Sequence, residues 1–248
     1  MSKVIIENQE NIAVLTLNNG KTNAISQELA QDISRALDEI RNDARGLVIC
    51  GGNTFFSIGL DLLGLVDLNR SDMADFWYKI NRFMLDLYTV SLPTVCAICG
   101  HAVAGGNVLA LSCDYRFATT QEKKIGLNEI RLGVPVPYLA DMVLKQIVGE
   151  RLAMHMLYSG EFMSFSEAKQ MGLLDQRHPT DQVKPRAIQK AAQLSAFENQ
   201  AFSAVKENRT EEIKWRYEKN QRAKNEAFLD GWFSEPVRRI LKEAAEKC

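Results

Sequence analysis

Phe55-Phe56-Ser57-Ile58-Gly59-Leu60-Asp61-Leu62 and Gly100-His101-Ala102-Val103-Ala104-Gly105-Gly106-Asn107 are the two stretches whose reading decides the fold. Each follows a compact apolar run, residues 47–50 for the first and 93–99 for the second. In the first, Gly59 allows a tight turn that frees the N–H of Leu60. In the second, Gly105 opens a helix, whose first N–H groups have no acceptor within the helix and so face any anion placed before them. Taken singly, each loop reads more simply as a turn after a strand. No Gly-Lys-Ser/Thr follows the glycines and no G-x-G-x-x-G follows either strand, which removes the phosphate-loop and dinucleotide readings.

Outward from these loops, strand and helix signals alternate. Residues 4–6 and 12–17 read as short strands separated by a polar turn at 7–11. Ser26 is an N-cap for a helix that places Leu29, Ile33, Ala36, Leu37 and Ile40 on one face. Residues 72–88 show the same spacing through Phe76, Ile80, Phe83 and Leu87. Strands alternating with helices imply an α/β fold with a largely parallel sheet. From Met142 onward the pattern is nearly all helical, over 142–148, 151–158, 166–171 and from Ala187. These signals divide the chain into a core at 1–190 and a helical C-terminal region at 191–248.

Composition narrows the class. With 46% hydrophobic and 25% charged residues the chain has the balance of a globular protein, and its net charge of -1 does not favour nucleic acid or an anionic membrane as partner. No apolar run approaches the roughly 18 residues of a membrane span. The first residues show no signal or transit pattern, and the terminal Cys248 does not fit a prenylation motif. Five cysteines, an odd number, suggest reduced thiols and a cytoplasmic setting. Cys96 and Cys99 form a lone CxxC, but residues three apart on a strand face opposite ways, so they read as packing residues rather than a redox or metal pair. Residues 206–224 carry seven basic and four acidic side chains around Ile213, Trp215 and Tyr217. Interspersed acids favour a solvated helix with one aromatic face packed on the body or on a neighbouring subunit, over a single-strand-binding surface. His101, His155 and His178 are too scattered for a metal cluster, and His101, placed beside the second loop where it could touch a pocket, reads more simply as a turn residue with a satisfied hydrogen bond. Asp61 reads as a helix-start acid that orders the first loop.

The two loops in this order, with 45 residues from Leu60 to Gly105 and the same flanks, resemble the crotonase (enoyl-CoA hydratase/isomerase) superfamily. The resemblance runs through Ser166-Glu167-Ala168-Lys169-Gln170-Met171-Gly172-Leu173-Leu174-Asp175 and more loosely to the C-terminus. It implies a ββα spiral core with a helical C-terminal trimerisation region, assembling as trimers or dimers of trimers. It implies that the N–H groups of Leu60 and Gly105 bind the oxygen of an acyl-coenzyme A thioester as it becomes an enolate. By position only, Ser57, Ile58, Gly59, Leu60 and Asp61 would also meet the adenine end of the coenzyme. Acyl-CoA would be the substrate, with no metal or redox cofactor.

An enolate hole still needs a base. Hydratases of this superfamily use two glutamates; the position of one is Val108 here, and the other is Glu129 in Ile125-Gly126-Leu127-Asn128-Glu129-Ile130. Orienting and activating water calls for more than a valine provides, whereas moving a double bond from the 3,4 to the 2,3 position needs one base on one face. The segments 56–62, Ala104-Gly105-Gly106, 110–116 and 125–129 closely resemble mitochondrial-type Δ3,Δ2-enoyl-CoA isomerases, which use the single glutamate at the Glu129 position. Ile58 departs from them, standing where a smaller residue is commoner. The reading is a 3-enoyl-CoA isomerase, with a hydratase, another thioester enzyme or a non-catalytic acyl-CoA-binding subunit as alternatives.

Overall fold

A computed structural model describes residues 2–246; Cys248, and with it the prenylation question, lies outside the described residues. The chain starts with strands β1 (Val4–Gln9) and β2 (Ile12–Leu17), paired antiparallel. β1 runs three residues further than its sequence suggested. It is an edge strand with an exposed, polar second half, so periodicity hides it, and the hairpin turns tightly on Glu10 and Asn11, both at positive φ. Helix α1 (Gln27–Asp43) follows, capped by the Ser26 side chain, and all five of the expected apolar residues on its face are buried.

From there the chain winds in repeats. β3 (Gly46–Cys50) is followed by β4 (Phe55–Ser57) and helices α2 (Leu62–Leu65) and α3 (Arg70–Thr89). β5 (Thr94–Ile98) is followed by β6 (His101–Val103) and α4 (Gly105–Leu111). β7 (Tyr115–Thr119) is followed by β8 (Lys124–Gly126) and a 3₁₀ turn (Glu129–Leu132). In each repeat the first strand joins a six-stranded sheet of order β1-β2-β3-β5-β7-β10, and the second joins a four-stranded sheet β4-β6-β8-β9, where β9 is Met163–Ser164 and β10 is Gln176–His178. This is the ββα spiral of the crotonase fold. The strands β3 and β5 are buried along their whole length, which is why they read as continuous apolar runs rather than alternating ones.

The remaining elements are α5 (Tyr138–Val148), α6 (Glu150–Ser159), β9 (Met163–Ser164), α7 (Phe165–Gln170), β10 (Gln176–His178), α8 (Thr180–Ser195), α9 (Asn199–Trp232) and α10 (Glu235–Ala245). The all-helical expectation for this half missed β9 and β10. At two and three residues they are too short to leave a period. The division drawn at 190 and 191 falls inside α8, whose Val183, Ala187 and Ala191 pack on Val48, Val95 and Phe117 of the large sheet. Cys96 and Cys99 lie in different apolar clusters on opposite sides of that sheet. Burial raises both thiols, and Cys50 to about 12, as befits packing residues.

The helix α9 buries Lys206, Thr210, Ile213 and Tyr217, but Trp215 points to solvent at 60% exposure. The Lys206 ammonium donates to Asp114 at 2.7 Å and to the Leu92 carbonyl at 2.8 Å. One of the seven basic residues is thus a buried anchor of α9 on the core, not part of a solvated face.

Candidate active site

The first loop is held by its neighbours on every side of Leu60. The Ser57 hydroxyl donates to the Asn23 carbonyl at 2.7 Å and accepts the Gly59 N–H at 3.1 Å. The Gly59 carbonyl accepts from Ile25 N–H at 2.7 Å, and Asp61 N–H donates to the Ile25 carbonyl at 3.1 Å. Between these engaged groups the Leu60 N–H has no acceptor among the described residues. Asp61 then caps α2, its carboxylate accepting the Gly64 N–H at 3.3 Å.

The second loop reaches the same place under strain. Ala104 sits at φ 49° and ψ −126°, a conformation a non-glycine residue adopts only when its surroundings impose it, at a cost of about 1–3 kcal/mol. Its N–H donates to the Gly126 carbonyl at 2.9 Å, and its carbonyl accepts from Val108 N–H at 3.0 Å. The kink turns the chain into α4 and leaves the Gly105 N–H without an acceptor among the described residues. Gly59, at φ +90°, lies so close that a Cβ there would stand 2.6 Å from the Gly105 nitrogen. A Cβ on Gly106 would stand 2.3 Å from the Ser57 carbonyl oxygen. Glycine at both positions is what lets the two loops touch.

Leu60 and Gly105 lie on the wall of a cavity of about 490 Å³, together with Ile58, Val108 and Glu129. The lining is mostly apolar, and Glu129 is its sole carboxylate among the described residues. Glu129 opens the 3₁₀ turn after β8 and is buried at 8% exposure. That turn is clamped by Arg131, which donates to the Ser159 carbonyl at 2.9 Å and pairs with Glu161 at 3.0 Å. Burial pushes Glu129 up to about 7, partly opposed by nearby backbone N–H groups, and one carboxyl oxygen has no partner. A carboxylate so tuned exchanges protons near neutrality.

Of the residues singled out by sequence, Ile58, Leu60, Gly105 and Glu129 converge on this cavity. Ser57, Gly59 and Asp61 do not line it; they shape the loop that does. His101 is occupied, its Nδ1 accepting the Lys124 N–H at 2.9 Å. Among the described residues no group of His, Cys, Asp and Glu could hold a metal ion. Sequence reading missed Asn23, at φ 46°, whose amide donates to the Phe56 carbonyl at 3.2 Å beneath the first loop. The Asn18-Asn19-Gly20 break was its signal. It also missed Trp77, Phe228 and Trp232, which form the cavity's deep end and come from α3 and α9.

The family described as enoyl-CoA hydratase/isomerase matches residues 7–247. Among curated proteins, "Enoyl-CoA delta isomerase 1, mitochondrial" of Mus musculus is 35% identical over 75% of this chain and 66% of its own length. The Homo sapiens protein of the same name is 33% identical over 79% of this chain and 66% of its own length. The matched stretch therefore spans just under two thirds of those relatives. A "Probable enoyl-CoA hydratase" of Bacillus subtilis is 26% identical over 100% of this chain and 97% of its own length. Among solved structures, human mitochondrial delta3-delta2-enoyl-CoA isomerase superposes with a TM-score of 0.95 at 29% identity, covering 99% of this chain and 97% of that one.

Proposed function

This chain belongs to the enoyl-CoA hydratase/isomerase family, and from that premise we propose that it converts a 3-enoyl-CoA to the trans-2-enoyl-CoA. The observation that carries the reading is the solitary carboxylate. Glu129 stands alone on the cavity wall, and Val108, one turn along α4 from Gly105, offers no second acid or base.

The thioester oxygen accepts the N–H groups of Leu60 and Gly105, which favour the negative charge that develops there. Glu129, ionised, removes a proton from C2. The C2–H electron pair enters the thioester, forming a dienolate whose oxyanion the two N–H groups hold. The carboxylic acid then returns the same proton at C4, and the double bond comes to rest between C2 and C3. The apolar lining keeps bulk water from the dienolate, and no metal or redox cofactor takes part. Acyl-CoA enters past Lys21 and Phe162, the exposed lining residues. Ser57, Gly59 and Asp61 serve this role indirectly, by setting the loop.

Among the described residues, no helix is long and apolar enough to cross a membrane. A cytoplasmic setting belongs to this proposal, supported by the unpaired described cysteines. So does assembly into trimers or pairs of trimers, supported by Val205 and Trp215, which α9 leaves exposed. The test is an isomerase assay with 3-hexenoyl-CoA on wild type and Glu129→Gln. Equal rates in the two proteins would remove Glu129 as the base. Formation of 3-hydroxyacyl-CoA from a 2-enoyl-CoA by wild type would favour the hydratase reading instead.

A further inference from the structure

The deep end of the cavity is a plate of three rings. Trp77, on α3, stacks on Phe228, on α9, with centroids 3.6 Å apart and planes 6° from parallel. Phe228 meets Trp232, one turn further along α9, at 5.6 Å and 31°. All three rings are buried. On the solvent side Arg70, the first residue of α3, pairs with Glu226 at 2.9 Å and Asp230 at 2.7 Å of α9, tying the two helices together beside the plate.

The plate does not end the molecule's hollow space. A second cavity of about 360 Å³ is lined by Tyr138, Leu157 and Tyr158 and shares Trp77, Val134, Pro137 and Phe228 with the first. It reaches the surface, where Tyr158 is 73% exposed. The same four residues are therefore the wall between two spaces, and the Trp77–Phe228 stack is the part of that wall built by side chains from two different helices.

Resting on the acyl-CoA reading above, we infer that the Trp77–Phe228 stack is a fixed stop that restricts the site to short- and medium-chain acyl groups. An acyl chain that passes Leu60, Gly105 and Glu129 runs toward α3 and α9 and meets the stacked rings that line the cavity there. The closely stacked rings leave no room for a methylene between them, and a packed interior does not yield such room without displacing its neighbours. Trp77 is thus a specificity-determining residue together with Phe228. Neither carries out proton transfer.

The test separates the wall from the chemistry by using saturated acyl-CoA thioesters, which bind but do not react. Dissociation constants are measured by calorimetry for hexanoyl- through hexadecanoyl-CoA, below their micelle-forming concentrations. In wild type the affinity rises with each added methylene and then stops rising once the chain reaches the stack. In Phe228→Ala, which joins the two cavities, the longest thioester gains at least tenfold relative to hexanoyl-CoA. Phe228→Leu, which keeps most of the volume but loses the stack, is measured alongside and is the variant that decides if circular dichroism shows Phe228→Ala unfolded. Wild-type affinity that keeps rising to hexadecanoyl-CoA would overturn the inference, because chains would then be passing the stack. So would an unchanged ratio in the folded variant. A plateau in binding without turnover of 3-hexenoyl-CoA leaves the stop in place and removes the isomerase reading; turnover without a plateau does the reverse.

Discussion

The two ends of the cavity are made by different means. At the reacting end, position is set by backbone: Gly59 at φ +90°, Ala104 held at φ 49°, and two N–H groups left over when their neighbours are all engaged. In the proposed reaction one side chain, Glu129, does the proton chemistry. At the deep end shape comes from three rings contributed by helices whose contacting residues are about 150 positions apart, Trp77 and Phe228. Changes at the first end should act on rate, and changes at the second on fit and stability.

The largest effect sharpens the first half of that contrast. Glu129→Gln keeps the shape of the site and removes the base, so kcat/KM for 3-hexenoyl-CoA should fall by about 10²- to 10⁴-fold. In wild type kcat/KM should rise with pH around a midpoint near 7, since the ionised form is the active one and burial holds its titration there. Steady-state kinetics across pH 5 to pH 9 check both; a wild-type profile flat through neutrality would break the link between burial and base strength.

Gly59→Ala comes next. Its Cβ would press on the Gly105 nitrogen at 2.6 Å from a backbone that an alanine adopts only under strain, so the loops must separate. Misplacing one oxyanion donor lowers kcat by about 10²- to 10³-fold. The check is kcat with the fold monitored by circular dichroism; a folded variant at wild-type rate would mean that the close approach of the loops is not needed for catalysis.

The same contrast governs what the sequence revealed. Gly59 and Gly105 were legible as turns because glycine after an apolar run marks a local property; that Leu60, Gly105 and Glu129 belong to one site came only from the resemblance of the two loops and of residues 125–129 to the crotonase superfamily. The helix face of α1 and the buried strands β3 and β5 were legible for the same reason, since period and apolar content are local. The deep end was not. Trp77 sits on a face of α3 whose apolar spacing announces a core residue but not its partner, and Phe228 belongs to a helix whose mixed charge hides its buried side. Lys206 shows the limit most plainly. In sequence it is one more lysine in a charged run, and only the fold brings it to Asp114 and the Leu92 carbonyl.

Stability provides a third, smaller test, and here the reacting end should behave unusually. Glu129 has an ordinary value of 4.5 and is raised to about 7 in the folded state, so between those pH values the folded protein holds the proton more tightly than the unfolded chain. Stability is therefore fully present below about 4.5 and is lost as pH rises through 7, on the order of 3 kcal/mol in all. Glu129→Gln does not titrate. Urea unfolding should find it more stable than wild type at pH 8, with the gap closing toward pH 4. A gap that stays constant with pH would mean that the buried carboxyl is not the source.

The smallest effect belongs to the deep end and has the opposite sign. Phe228→Leu keeps an apolar side chain of similar bulk but gives up the stacked geometry on Trp77, which contributes about 0.5–1.5 kcal/mol beyond area burial. Urea unfolding should place this variant below wild type by about that amount, and the difference should not vary between pH 5 and pH 8, because no titrating group lies in the plate. A buried carboxylate thus weakens the fold that holds it while the ring plate strengthens it, so one set of unfolding curves at two pH values distinguishes the two ends. If Phe228→Leu proved as stable as wild type, the rings would be filling space without adding to the hold of α9 on α3, and the anchoring of α9 would fall to Lys206 and Arg70.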